Sequence, residues 1–129
     1  MPSSDQNSVS ISIIIVTHNS SDEIGACLES VISQSENSNA EIIVVDNASS
    51  DATADIISSY SAKYANVTLH QNDTNLGFTK ANNQGWRGAN GEYIFFLNPD
   101  TALEENALKS LTGEMTRNSE IDAIAPQLR

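Results

Sequence analysis

Apolar positions along the chain fall into two kinds of run. Residues 11–16 (Ile-Ser-Ile-Ile-Ile-Val), 42–45 (Ile-Ile-Val-Val) and 93–97 (Tyr-Ile-Phe-Phe-Leu) are short, β-branched or aromatic, and almost continuously apolar. Such runs predict strands buried on both faces. Residues 67–71 and 121–125 read as two further short strands, the last closed by Pro126. Between them the spacing changes. Ile24, Cys27, Leu28 and Val31 stand at i, i+3, i+4 and i+7, one face of a helix that ends within residues 35–39. A second helix is expected from about Asp51 to Tyr64, with Ile56, Tyr60 and Tyr64 in line, and a short third one up to about Arg87. Leu103, Ala107, Leu108, Leu111 and Met115 mark a fourth. Ser20 with Glu23, and Thr101 with Glu104, have the spacing of capping boxes at the starts of the first and fourth helices.

Strands alternating with helices imply βαβ crossovers, hence an α/β fold with a mostly parallel sheet and flanking helices. In such sheets ligands bind outside the carboxyl ends of the strands. The loops expected there are residues 17–20, 46–51 and 98–101, all polar, and two of them place a carboxylate, Asp46 or Asp100, at the strand end.

Size and charge narrow the function. A chain of 129 residues makes one domain with a real core. No apolar run approaches the roughly 20 residues of a membrane span. Residues 1–10 are polar and have neither the basic nor the apolar part of a signal peptide, so they read as a disordered lead. The net charge of −11 argues against nucleic acid as a partner. An anionic small molecule remains compatible if a metal ion or helix N-terminus receives it. Cys27 is the only cysteine, which excludes an internal disulfide and a cysteine metal cluster and fits a reducing cytoplasm.

Asp46 at a strand end can accept hydrogen bonds from a ribose hydroxyl or a base N–H. The stretch Asp-Asn-Ala-Ser-Ser-Asp is equally good turn chemistry, with Asp51 as a helix cap. Asp100 can ligate a divalent cation that bridges a diphosphate, yet Asn98-Pro99-Asp100 is also an ordinary turn with Asp100 or Thr101 as N-cap. His18 sits on a ligand-side loop, where it can stack on a base or exchange protons. His70 and Cys27 read as structural. Phe78, Phe95, Phe96 and Trp86 read as packing against the sheet, and a lone Lys80 or Arg87 is by default solvated. Residues 75–85 (Asn-Leu-Gly-Phe-Thr-Lys-Ala-Asn-Asn-Gln-Gly) are unusual: Gly77 suggests positive φ or close backbone approach, but an ordinary loop leaves the asparagines unexplained.

Four stretches in order resemble the N-terminal part of family 2 (GT-A type) glycosyltransferases. They are Ile14 to Asn19, Ile43 to Thr53, Asn75-Leu76-Gly77-Phe78 through Asn83-Gln84-Gly85, and Gly91 to Asp100. The Asn98-Pro99-Asp100 version looks most like a rhamnosyltransferase-like branch. The resemblance implies a Rossmann-like GT-A half that binds a nucleotide-diphosphate sugar for inverting transfer to a saccharide or lipid-linked acceptor. It implies that Thr17, His18 and Asn19 border the nucleotide, that Asp46 contacts base or ribose, that Gly77 and Phe78 line the nucleotide, and that Lys80 reaches phosphate. It assigns Asp100 to Mg²⁺ or Mn²⁺. Asn98 stands where the family's first Asp usually does; this removes a carboxylate but leaves a carbonyl oxygen. The family's general base belongs to an acceptor half downstream. The expectation is therefore residues 11–129 as a partial donor domain that lacks that half, cytoplasmic, and membrane-associated through a longer protein. A non-catalytic nucleotide-binding or interaction module on the same fold is the alternative. A dinucleotide-binding oxidoreductase is disfavoured because residues 17–21 carry no Gly-x-Gly-x-x-Gly fingerprint.

Overall fold

In a computed structural model of the chain, residues 11–117 are described, apart from the side chains of residues 36–38 and 115–117. The expected lead at 1–10 and the strand at 121–125 lie outside these residues. The order of elements is β1 (Ile11–Thr17), α1 (Ile24–Ser38), β2 (Ala40–Asn47), α2 (Thr53–Lys63), β3 (Val67–Asn72), α3 (Phe78–Arg87), β4 (Tyr93–Leu97) and α4 (Ala107–Arg117).

The four strands form one sheet in the order β3-β2-β1-β4, with every pairing parallel. All seven residues of β1 are buried, as its continuous apolar run predicts for the centre of a parallel sheet. Strand alternation divides the core. Ile11, Ile13, Ile15, Ile42, Val44, Phe95 and Leu97 face α1, α2 and α4, and contribute to the larger cluster with Ile24, Leu28, Val31, Ile57 and Leu108. Ile14, Val16, Ile43 and Val45 face α3 and pack with Ala81.

The predicted face of α1 is the buried one: Ile24, Cys27, Leu28 and Val31 are each at most 1% exposed. Neither capping box forms as expected. The Ser20 hydroxyl turns back to the His18 carbonyl at 3.3 Å, while the Ser20 carbonyl accepts the Glu23 and Ile24 amides. Helix α4 begins at Ala107, past Thr101 and Glu104, so residues 101–104 approach it without helical structure. Side chains on α1 hold that approach. The Ser30 hydroxyl accepts the Leu103 amide, and Gln34 bridges the Glu104 carbonyl and the Leu108 amide.

Three aromatic expectations fail. Phe95 is buried, but Phe78, Trp86 and Phe96 are more than half exposed. The cause is geometric. Helix α3 covers β1 and β2 on its face of the sheet, so Phe96, one residue out of phase with Phe95 on β4, points beside that cover. The helix is amphipathic by its small residues, Ala81 and Gly85, and its aromatics lie away from the sheet.

Candidate functional site

The parallel sheet brings the carboxyl ends of β1, β2 and β4 to one side. Thr17 at the end of β1 lies beside Asp46 at the end of β2, and Leu97, just before Asn98, lies beside Ile15. The expected ligand-side loops are therefore neighbours.

Asp46 is 1% exposed and its carboxylate is fully engaged by the loops it joins. Oδ1 accepts the Thr17 hydroxyl at 2.6 Å and the Ser49 hydroxyl at 2.6 Å; Oδ2 accepts the Ser49 amide at 3.0 Å. A buried carboxylate is tolerable only with such partners. These bonds also hold Ala48 at a φ of 54°, a left-handed conformation that costs a non-glycine residue roughly 1–2 kcal/mol. Asp46 thus closes the turn between the strand ends, the role that turn chemistry predicts for it.

His18 and Asn19 are exposed on the adjoining loop. His18 Nδ1 lies 2.7 Å from the Asn47 carbonyl, an acceptor only, so that nitrogen carries the proton and donates. Asn19, at a φ of 50°, presents Oδ1 to the Ser50 amide at 2.8 Å and the Asp51 amide at 3.3 Å, while its own amide donates to the Ser49 hydroxyl. Asp51 stands one residue before the N-cap of α2, Ala52, rather than at the cap, and still binds the helix start: Oδ1 accepts the Thr53 amide at 2.9 Å and the Thr53 hydroxyl, and Oδ2 accepts the Ser21 amide. The Thr53 hydroxyl, with these further bonds, draws the Asp51 pKa down to about 2.

Sequence reasoning missed the residues that fasten the third wall. Asn47, 2% exposed, accepts the Asn72 side-chain amide at 2.9 Å and the Leu76 backbone amide at 3.3 Å on Oδ1, and donates from Nδ2 to the Gly77 carbonyl at 3.1 Å. Asn72 and Gln84 exchange a reciprocal amide pair at 2.8 and 3.0 Å. Asn75 Oδ1 accepts the Gly77 amide at 2.9 Å. Of that cluster, Asn75 and Gln84 are therefore loop architecture, with Asn72 just before it. The signal available was a strand buried from Ile42 onward and ending in an amide, which must find partners. Gly77 does have positive φ, 87°, as the glycine suggested. Phe78 and Lys80, on the first turn of α3, are exposed.

The Asn98-Pro99-Asp100 loop stands slightly apart. Asn98 and Asp100 are exposed, and among the described residues the Asp100 carboxylate accepts no hydrogen bond. The Asn98 carbonyl accepts the Thr101 amide at 3.1 Å, and Cys27 Sγ lies 3.8 Å from it on the other side. Burial, and then the nearby Asp100 charge, push the Cys27 thiol up to about 12, so it is inert as a nucleophile and packs as expected. No group of three His, Cys, Asp or Glu side chains able to hold a metal occurs among the described residues. A metal held wholly by protein does not fit. One held by a single carboxylate, water and a ligand's phosphates does, because Mg²⁺ is commonly bound that way.

The sequence profile of Glycosyl transferase family 2 matches residues 12–128. The chain belongs to this family. Poly(ribitol-phosphate) beta-glucosyltransferase of Bacillus spizizenii is 39% identical over 100 residues, 76% of this chain and 16% of that protein. The structure of S. aureus TarS 1-349 in complex with UDP-GlcNAc superposes with a TM-score of 0.77 at 30% identity, covering 84% of this chain and 32% of TarS 1-349. A mannosyltransferase from Pyrobaculum calidifontis in complex with GDP-Man and Mn²⁺ shares the fold, with a TM-score of 0.71 over 81% of this chain and 31% of that one, at 24% identity. The four-stranded parallel sheet with its helices is thus the GT-A Rossmann-like arrangement. The family 2 chain spans a third or less of each of these relatives, and no helix among its described residues is long and apolar enough to cross a membrane.

Proposed function

We propose that this chain is the donor-binding part of an inverting glycosyltransferase, taking a nucleotide-diphosphate sugar and serving transfer to a saccharide or lipid-linked acceptor. The observation that carries the reading is the convergence of three loops, built around Thr17–Asp46, His18–Asn47 and Asn47–Gly77, on one end of a parallel sheet. Thr17, His18, Asn19, Asp46, Gly77 and Phe78 form the nucleoside side, and Lys80 supplies a cation for phosphate. The donor is a UDP-sugar, in keeping with the UDP-GlcNAc bound by TarS. Asn98-Pro99-Asp100 favours a second reading, a rhamnosyltransferase-like enzyme with a dTDP-sugar donor.

Asp100, with the Asn98 amide oxygen beside it, would hold Mg²⁺ or Mn²⁺. When bound, the ion acts as a Lewis acid toward the diphosphate leaving group. The protein's own loops fix the donor so that the anomeric carbon is open on one side. An acceptor hydroxyl attacks there, through a transition state of oxocarbenium character, and inverts the centre. The base that takes the hydroxyl proton belongs to the remainder of the protein. The lone buried thiol supports a cytoplasmic setting, with membrane association through other parts of the protein. The single carboxylate at residues 98–100 favours the alternative of a non-catalytic module on the same fold.

Isothermal titration with UDP and dTDP, with and without Mn²⁺, separates these readings. Saturable binding of UDP that strengthens with the metal is expected, and the Asp100→Ala variant should lose the metal-dependent increment while staying folded. Tighter dTDP binding selects the rhamnosyl reading. Binding of neither nucleotide by the folded chain, and by the full-length protein, overturns the donor-site proposal in favour of the scaffold.

A further inference from the structure

The loop at residues 73–77 has little to hold it by burial. Each of its residues is exposed, and so is Phe78 immediately after it. The hydrogen bonds that tie it to the sheet, among the described residues, both end on the side chain of Asn47: Leu76 N–H to Oδ1 and Nδ2 to the Gly77 carbonyl. The same residue receives the His18 Nδ1 proton on its backbone carbonyl. Its Oδ1 is also oriented by Asn72, which Gln84 on α3 clamps in turn. A single buried residue therefore joins the two walls, holding His18 by its backbone carbonyl and the Gly77 loop by its side-chain amide. Its orientation is determined, because Oδ1 faces two donors and Nδ2 faces an acceptor.

We infer that Asn47 is a positioning residue for the nucleoside: it touches no ligand itself, but fixes the Gly77 loop against the His18 loop at the width the base and ribose require. This rests on the donor-site reading above. Asp46, one residue earlier, cannot do the same work, since its carboxylate is consumed by Thr17 and Ser49 on the β1 side. The amide is also the right chemistry. Serine or alanine cannot donate and accept across the gap, and aspartate would set an oxygen against the Gly77 carbonyl.

Two readouts on the Asn47→Ala variant test the inference. Without ligand, the Leu76 amide should exchange at least about tenfold faster than in the wild type, while Ile14 and Val44 in the sheet keep their protection. With ligand, UDP affinity should fall about tenfold, and the affinity for Mn²⁺ with pyrophosphate should change less than about twofold. Unchanged Leu76 exchange overturns the loop tie. Equal loss of UDP and pyrophosphate affinity overturns the positioning role, because a general loss of structure affects both. A wild-type chain that does not bind UDP overturns the donor-site reading, and the Leu76 exchange then decides the tie by itself. Should Asn47→Ala fail to fold, Asn47→Ser, which keeps a polar group in the buried position but is too short to reach Leu76 and Gly77, carries the same expectations.

Discussion

At Asp46 the observed turn role and the proposed nucleoside role depend on the same hydrogen bonds. Its three hydrogen bonds are all to neighbours within the protein, and they are what brings the β1 and β2 loops together. Asp46→Ala should therefore lose nucleoside affinity and stability together. The stability loss should be about 1–3 kcal/mol, the scale for leaving buried hydrogen-bonding groups unpaired. Ser49→Ala is the control: it removes the hydroxyl's bonds to Asp46 and to the Asn19 amide and leaves the carboxylate. If uridine affinity falls with Asp46→Ala but holds with Ser49→Ala in denaturant-matched samples, the carboxylate faces the nucleoside. If both variants lose affinity in proportion to stability, Asp46 is a turn residue only. At this scale the sequence was legible for carboxylates and glycines, whose chemistry is distinctive at a strand end. It was not legible for Asn47, Asn72 and Gln84, since an amide's role depends on partners 12 to 30 positions away.

At the scale of elements, four helices and four strands were legible within the described residues, β1 and β2 most plainly because a parallel sheet makes its central strands apolar on both faces, while β3 and β4 at the edges are only partly buried and the last helix starts at Ala107 rather than Thr101. Exposure was harder to read. Phe96 and Trp86 are as apolar as Phe95, and only the position of α3 over β1 and β2 leaves them outside. What places α3 is Gly85. A Cβ there would come within 2.5 Å of Ile14 Cγ2 and 3.5 Å of Val45 Cγ2. Ile14 is fully buried and cannot yield freely. Helix propensity favours alanine over glycine by about 1 kcal/mol, but overpacking a close-packed contact costs about 1–3 kcal/mol. Gly85→Ala should therefore destabilise the chain and lift α3, together with Phe78 and Lys80 on its first turn. Urea denaturation reads the sign: a gain in stability would mean that the contact relaxes and that α3 is not set by the glycine.

The whole molecule poses an electrostatic problem that no single loop solves. Its formal charge is −11, with 6 basic against 17 acidic residues, and the proposed ligand is a polyanion. The Debye length is about 10 Å at 0.1 M salt, so the repulsion from charges beyond that distance is felt mainly at low ionic strength. Without a divalent cation, UDP affinity should then rise, or at least hold, as monovalent salt increases from about 0.02 to 0.2 M. A basic phosphate-binding surface would give the opposite slope. With Mn²⁺ the local charge at residues 98–100 changes sign, and the affinity should become higher and fall with salt, since salt now screens an attraction. Chelation with EDTA should restore the first behaviour, while uridine, which carries no phosphate, should be indifferent to salt and chelator alike. Titrations across this salt range decide the matter. A metal-free affinity that drops steeply with salt would mean that Lys80 holds the phosphate without a metal, and Asp100 would lose its part in the site.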